Sequence, residues 1–209
     1  MKLLLFLLLG VVLVTLAVVA GCATSRKGYA SPAYTVVRSA GAVEVRDYPA
    51  LIVAQTPLAE TGGRSQNGGF MNLFHYIAGE NEGRKKLPMT TPVLVAPAAE
   101  RRTADTNASM AFIMPGDMAF ADLPRPAGTN VTLRRVAAAR YAVRRFSGRR
   151  DAAAQVRETE ALARWMATQG YAPLDAPLYA FYDPPWTPGF LRRNEVLIRF
   201  QDSAPRPAE

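Results

Sequence analysis

Val43-Glu44-Val45-Arg46-Asp47-Tyr48 and Tyr141-Ala142-Val143-Arg144-Arg145-Phe146 carry the same Val-Arg step two residues before an aromatic ring, and both are short runs of strand-forming residues. Outward from the first, Tyr34 to Arg38 precedes it across Ser39-Ala40-Gly41-Ala42, and Ala50 to Thr56 follows it after Tyr48-Pro49. Outward from the second, Val131 to Val136 precedes it across three alanines and Arg140. Each set runs on into helix and then strand. The order predicts a duplicated β-β-α-β unit, and hence an α+β fold: a twisted antiparallel sheet or distorted β-barrel flanked by two helices.

The first helix follows the glycine-rich stretch Gly62-Gly63 to Gly68-Gly69 and starts near Phe70, with an extension back toward Arg64 left open. Phe70, Leu73, Phe74 and Ile77 recur at i, i+3, i+4 and i+7, the spacing of a core-facing stripe, and Gly79 is a stop. The second helix, Asp151 to Gln169, sets Ala152, Val156, Thr159, Leu162, Ala163 and Met166 on one face and Arg157, Glu160 and Arg164 on the other. Between the helices, Leu87 to Val95 reads as extended, because Pro88 and Pro92 bias their predecessors away from helix. A strand is expected near Met110 to Met114, and Leu178 to Tyr182 and Glu195 to Phe200 close the domain.

The N-terminus has a different chemistry. Met1-Lys2 precedes a nearly unbroken apolar run from Leu3 to Ala20, then Gly21-Cys22 and the polar stretch Ala23 to Gly28, which is the order of a secretory signal. About 18 apolar residues is also near the lower limit for a membrane span, so hydropathy alone leaves a retained signal-anchor helix open. Val19-Ala20-Gly21-Cys22 resembles the lipobox of bacterial lipoproteins, and Cys22 is the chain's single cysteine, standing at the end of the apolar run. Residues 1–21 are thus expected to be a cleaved signal, residues 22–31 a lipidated cysteine and flexible tether, residues 32–200 the domain and residues 201–209 a flexible tail. The other alternative is a signal cut nearby with Cys22 left as a free thiol. A lipidated Cys22 implies a periplasm-facing protein of the bacterial cell envelope. Ala23, where an aspartate favours inner-membrane retention, leans toward the outer membrane.

Loss of the first 21 residues leaves 188 of 209, enough for one domain of ordinary size. The 25 Lys and Arg against 17 Asp and Glu give +8, and losing Lys2 brings this to +7, a charge suited to anionic headgroups or an acidic ligand. The basic residues are dispersed as pairs, Lys85-Lys86 and Arg192-Arg193 among them, instead of forming one block, which argues against nucleic acid.

Four further segments carry a family resemblance: Val43 to Tyr48; Tyr76-Ile77-Ala78-Gly79-Glu80-Asn81; Lys86-Leu87-Pro88-Met89-Thr90-Thr91-Pro92-Val93; and Tyr182-Asp183-Pro184-Pro185 running to Arg192-Arg193-Asn194-Glu195-Val196. In this order they resemble the SOUL or haem-binding protein family and span nearly the whole mature chain. The resemblance implies a distorted β-barrel with two helices that binds haem or a related tetrapyrrole in a shallow apolar pocket beside the first helix, with basic side chains near the propionates. Where some animal members place an axial histidine, this chain has Asp47, which is not a usual iron ligand.

Haem iron takes His, Met, Cys or Tyr. With Cys22 taken by lipid, His75 is the one imidazole, and it points some 150° from the Phe70/Leu73/Phe74/Ile77 stripe, outward if the stripe faces the core. Met71 lies one turn before it on the same side, and Ala78 is small enough to admit a flat ligand. This face is a candidate wall for a tetrapyrrole, with His75 a candidate iron ligand and Arg64, Lys85 or Lys86 candidates for a propionate. The alternative is that His75 is a surface residue and Met71 packs on a loop. Trp186 and Phe190, in the stiff loop Asp183 to Gly189 and just beyond it, are candidates for a second wall.

One histidine and one cysteine do not build an ordinary zinc site, no phosphate-binding glycine motif follows a strand, and Met89-Thr90-Thr91-Pro92 has no evident base to activate a hydroxyl. The chain therefore reads as a non-catalytic, membrane-anchored haem or tetrapyrrole-binding lipoprotein for storage, scavenging or buffering. Two alternatives are a module for another apolar or cationic small molecule and a lipoprotein serving protein partners in the envelope. Since no second long apolar segment exists, a chain beginning near Ala23 should run as a monodisperse species on size exclusion without detergent. Persistent aggregation would contradict a single anchor.

Overall fold

Residues 43–48 pair antiparallel with 139–144 and residues 51–55 with 132–136, and the register is continuous: Tyr48 faces Ala139, then Leu51 faces Val136. The two segments are thus one long ribbon interrupted at Pro49-Ala50 and, opposite, Ala137-Ala138. Pro49 has no N–H to give a ladder, so the interruption falls where the backbone lacks a donor.

The computed structural model describes residues 28–58, 63–98 and 108–202. The signal segment, Cys22, most of the tether and the tail from residue 203 lie outside the described residues. In chain order the elements are β1 (Thr35–Ala40), β2 (Val43–Tyr48), β3 (Leu51–Pro57), α1 (Gly63–Ala78), β4 (Val93–Ala96), β5 (Ser109–Ile113), β6 (Thr132–Val136), β7 (Ala139–Phe146), α2 (Ala152–Thr168), β8 (Tyr171–Pro173), β9 (Leu178–Phe181) and β10 (Asn194–Asp202). The sheet order is β1-β2-β7-β10-β9-β4-β5-β3-β6, with β8 added to the end of β10, and the sheet curls into a half-barrel flanked by the two helices.

From β2 to β6 this order reads the same from either end if β2, β3, β4 and β5 are exchanged for β6, β7, β9 and β10. The repeat is therefore ββαββ, one strand longer than the sequence pattern suggests, and each unit lends its first strand to the other. The look-alike segments 43–48 and 141–146 are neighbours in the ribbon, and the counterpart of β7 is β3. Likewise β6 and β7, consecutive in the chain, pair with β3 and β2 instead of with each other.

Side chains alternate between two faces, as the pleat requires. Val43, Val45, Ala54, Val95, Met110, Phe112, Ala142, Tyr179, Phe181, Val196 and Ile198 form the main core with Leu73, Tyr76 and Ile77 of α1 and Leu162 and Met166 of α2. The opposite face carries Val143, Ala180, Tyr182 and Leu197 toward one arm, and Val53, Ala111 and Ile113 toward the other.

Both helices sit rotated from their expected faces. In α1, Leu73, Tyr76 and Ile77 are buried while Phe74 is 43% exposed, held on Phe70 by ring stacking at 6.1 Å. The buried arc is centred on Leu73 and Ile77 because α1 rests mainly on β3 and β5, so Tyr76 takes the inward place and Phe74 is left outside. In α2 the buried residues are Ala154, Glu158, Leu162 and Met166, whereas Val156 is 57% exposed. Glu158 turns inward because Arg144 of β7 meets it at 2.9 Å, and Asp151 caps the helix by accepting from Ala154 N at 2.7 Å.

A buried ion cluster ties β2 to β10 across β7. Glu195 is fully buried; Arg46 donates to both its oxygens at 2.9 and 3.1 Å, Arg193 donates twice to Oε1 at 2.7 and 2.9 Å, and the Tyr182 hydroxyl donates to Oε2 at 2.9 Å. Burial alone would push this carboxyl up, but the two guanidiniums outweigh it and hold it below the ordinary carboxylate value.

Two measurements follow from this packing. By urea unfolding, Leu162→Ala should cost about 2–5 kcal/mol, whereas Val156→Ala, inward by sequence but exposed here, should stay within about 0.5 kcal/mol. Glu195→Gln removes the buried carboxylate that Arg46 and Arg193 share, leaving Arg46 with Glu44 alone, and should cost about 3–5 kcal/mol. Since the folded carboxyl titrates below its ordinary 4.5, its contribution is complete above that pH and is lost as pH falls toward the folded value. The variant should lack that acid-dependent loss.

Candidate functional site

The face opposite the helices encloses a groove of about 490 Å³, within the range of small-molecule sites. Its walls come from both arms of the bent ribbon and from the strands between them. Leu51, Val53, Leu94, Ala111, Ile113, Val136, Leu178 and Leu197 supply apolar surface. Tyr48, Tyr141 and Tyr182 supply aromatic surface, with the Tyr48 and Tyr141 rings meeting edge to face at 5.7 Å.

Charge enters at the edges. Arg134, Arg135 and Arg199 line the groove. Arg199 is bonded to Asp175 at 2.5 and 3.0 Å, Arg134 donates to the Gln55 amide oxygen at 3.2 Å, and Arg135 lies 4.5 Å over the Phe120 ring. The carboxylates on this face are all engaged by arginine: Glu195 by Arg46 and Arg193, Glu44 by Arg46 at 2.6 Å, and Asp175 by Arg199.

An apolar trough with guanidiniums at its edge fits a flat apolar macrocycle bearing carboxylates. The same trough does not offer an iron ligand. Its one iron-binding side-chain type is tyrosine, and burial pushes the Tyr48 hydroxyl up to about 12 and raises Tyr141 as well. Tyr182 stands higher still, raised by burial and by the neighbouring Glu195 charge to which its proton is committed. None of the three is set up as a phenolate.

The sequence-derived candidates lie elsewhere. Met71, His75 and Ala78 do share the exposed side of α1, and Phe74 joins them, so the outer face carries two large apolar side chains beside the imidazole. His75 Nδ1 is hydrogen-bonded to the Glu80 carboxylate, the pairing by which a carboxylate orients a ligating histidine. Beside it lies a polar crevice of about 420 Å³ between α1 and residues 126–131, lined by Asn72, His75, Tyr76 and Glu80. Arg64 lies in the first turn of α1. Lys85 and Lys86 are exposed after the helix, and Lys85 donates to the Asp122 carbonyl at 3.3 Å. Trp186 and Phe190, 81% and 75% exposed, line neither the groove nor the crevice, so they form no second wall to either.

Thr90 and Thr91 are buried structural groups. The Thr90 hydroxyl donates to the Ile113 carbonyl at 2.5 Å, and Thr91 meets the Ser31 hydroxyl at 2.9 Å. The groove itself was missed by sequence reading, although a signal for it exists. Leu51-Ile52-Val53-Ala54 and Met110-Ala111-Phe112-Ile113 are apolar on both faces, more than a sheet covered on one side requires.

No curated protein sequence matches the chain. Among solved structures, the chain is similar to EcmrR in its complex with DNA, with TM-score 0.58 and 13% identity over 77% of this chain and 57% of that one, so it spans little more than half of that relative. It is similar to the isolated EcmrR C-terminal domain, with TM-score 0.52 and 14% identity over 81% of this chain and 98% of that one. It is also similar to an uncharacterized conserved protein from Listeria innocua, with TM-score 0.54 and 11% identity over 76% and 92%. At these identities the likeness is one of fold. The sequence itself matches the model of the SOUL heme-binding protein family over residues 29–199, nearly the whole described domain, and the chain belongs to that family.

Proposed function

We propose that this protein is a lipid-anchored, non-catalytic haem or tetrapyrrole carrier of the bacterial cell envelope, facing the periplasm from the outer membrane, and that the groove opposite the helices seats the macrocycle. The observation that carries the reading is the groove's composition: apolar walls from both ribbon arms, guanidiniums at its edge, and carboxylates already bonded to arginine. This favours an amphipathic anion over a cation. Family membership supports a haem or tetrapyrrole-binding role, and the lipobox-like Val19 to Cys22 supports the anchor. In this seat the protein holds the ring through apolar contact and a carboxylate through Arg134, without a bond to iron.

One observation favours a second seat. The His75–Glu80 pair, with Met71 and Phe74 beside it, supports iron ligation on the outer face of α1, where Lys85 and Lys86 would meet the propionates.

Titration of hemin and of iron-free protoporphyrin into the chain from Ala23 separates the two. With the groove as the seat, both should bind within about three-fold of each other, His75→Ala should change neither, and Arg134→Ala should weaken both by about ten-fold. A Soret band and hemin affinity lost in His75→Ala, with protoporphyrin unaffected, would move the seat to α1. Saturable binding of neither would sink the tetrapyrrole reading.

A further inference from the structure

The loop between β9 and β10 exposes two aromatic rings without covering anything. Trp186 is 81% and Phe190 75% exposed, the largest exposures among the large apolar side chains of the described residues. They do not stand out because the loop is loose. Pro184, Pro185 and Pro188 stiffen it, and Thr187 N donates to the Pro184 carbonyl at 3.1 Å. Leu191 N donates to the Pro188 carbonyl at 3.0 Å, and Thr187 and Asp183 are buried beneath. Arg192 clamps the loop by donating to the carbonyls of Thr187, at 2.7 Å, and Pro185. Arg150 donates to the Asp183 carbonyl from the neighbouring turn, where Gly148 N donates to the Gly189 carbonyl at 2.9 Å. Carbonyl acceptors are neutral, so the positive charge of Arg192 stays in place beside exposed Arg149 and Arg145. A rigid loop with outward Trp and Phe ringed by arginine has the composition of a headgroup-level membrane contact.

The N-terminal segment leaves the domain at the same end. Thr91 N donates to the Ala30 carbonyl at 2.8 Å, and Ala30 bridges Thr90, just before β4 begins. The first residue of β4, Val93, pairs with Phe181, the last of β9, which in turn pairs with Asn194, the first of β10. The Ala30 docking point and the Trp186 loop therefore lie past the same strand ends.

Eight residues from Cys22 to Ala30 reach at most about 29 Å at full extension. A domain of this size is about 40 Å across. A chain tethered at Cys22 thus cannot turn its opposite end to the bilayer, and the end held nearest to it carries Trp186 and Phe190.

We propose that the β9–β10 loop is a second membrane attachment: Trp186 and Phe190 enter the headgroup layer of the bilayer that holds the N-terminus, and Arg145, Arg149 and Arg192 meet anionic phospholipid. The tether-length part of the argument rests on the lipid-anchor reading; the composition of the loop does not.

The test uses the full chain in phosphatidylethanolamine vesicles containing phosphatidylglycerol, with acyl chains brominated near the headgroup or left plain. Trp186 emission is isolated by subtracting the spectrum of Trp186→Phe. Docking should quench it about two-fold in brominated vesicles, and less when phosphatidylcholine replaces phosphatidylglycerol. Equal emission in brominated and plain vesicles would overturn the proposal. Trp186 unquenched by lipid but shielded from iodide in native membranes would also overturn it, assigning the loop to an envelope protein.

Labelled palmitate, incorporated in wild type and absent from Cys22→Ser, reports the anchor separately. Quenching without label sustains the docking loop and sinks the lipid anchor, and label without quenching does the reverse.

Discussion

The ribbon formed by residues 43–55 and 132–144 is the constraint on which the rest of the molecule depends. Its two halves belong to opposite ends of the sheet path, so once the register is set the sheet must curl to let both ends share one ribbon. The curl creates the groove, and it fixes which residues line it: every second side chain of β3, β4, β5, β9 and β10 faces inward because the pleat leaves no other choice. The helices then close the other face, and the main core forms between them and the sheet.

Such a fold has a chemical cost on the groove face, where side chains of strands two apart approach one another. The chain meets it at one end with Glu195, Arg46, Arg193 and Tyr182, a group whose donors and acceptors are mutually satisfied. A carboxylate buried there alone would be neutral or would seek a cation from outside. Two guanidiniums remove that option, and Arg46 lies 4.3 Å over Tyr34 while Arg193 lies 4.0 Å over Tyr182, which covers the cluster with aromatic rings. The groove is left with apolar walls and a positive edge.

Much of this was legible in the sequence. The strands of residues 34–56, the helix after Asp151 and the closing strands follow from local pattern, because β-branched runs and a capping aspartate act within a few residues. The pairing did not follow. Segments 43–48 and 141–146 look alike yet set their matching residues on opposite faces, Val45 in the main core and Val143 across the sheet from it, so their likeness disguised the true equivalence of β3 and β7. Helix faces were misjudged where a tertiary partner decided the matter: Arg144 draws Glu158 inward, and the narrow contact of α1 with two strands leaves Phe74 outside. β8 was not seen because Tyr171 to Pro173 is too short to carry a pattern and exists only as an addition to β10. The α1 candidates, by contrast, came together as spaced, because i and i+4 on a helix are neighbours whatever surrounds them.

The exchange of first strands between the two units bears on how such a chain could have arisen. A lone ββαββ unit would have an open β3 or β7 edge where its partner's strand belongs, and half a groove. Two identical copies, each lending a strand, would satisfy both needs, with the groove on the two-fold axis of a strand-swapped homodimer. In one chain the two halves need not match: one here offers an imidazole on its helix while the other buries a glutamate at its own.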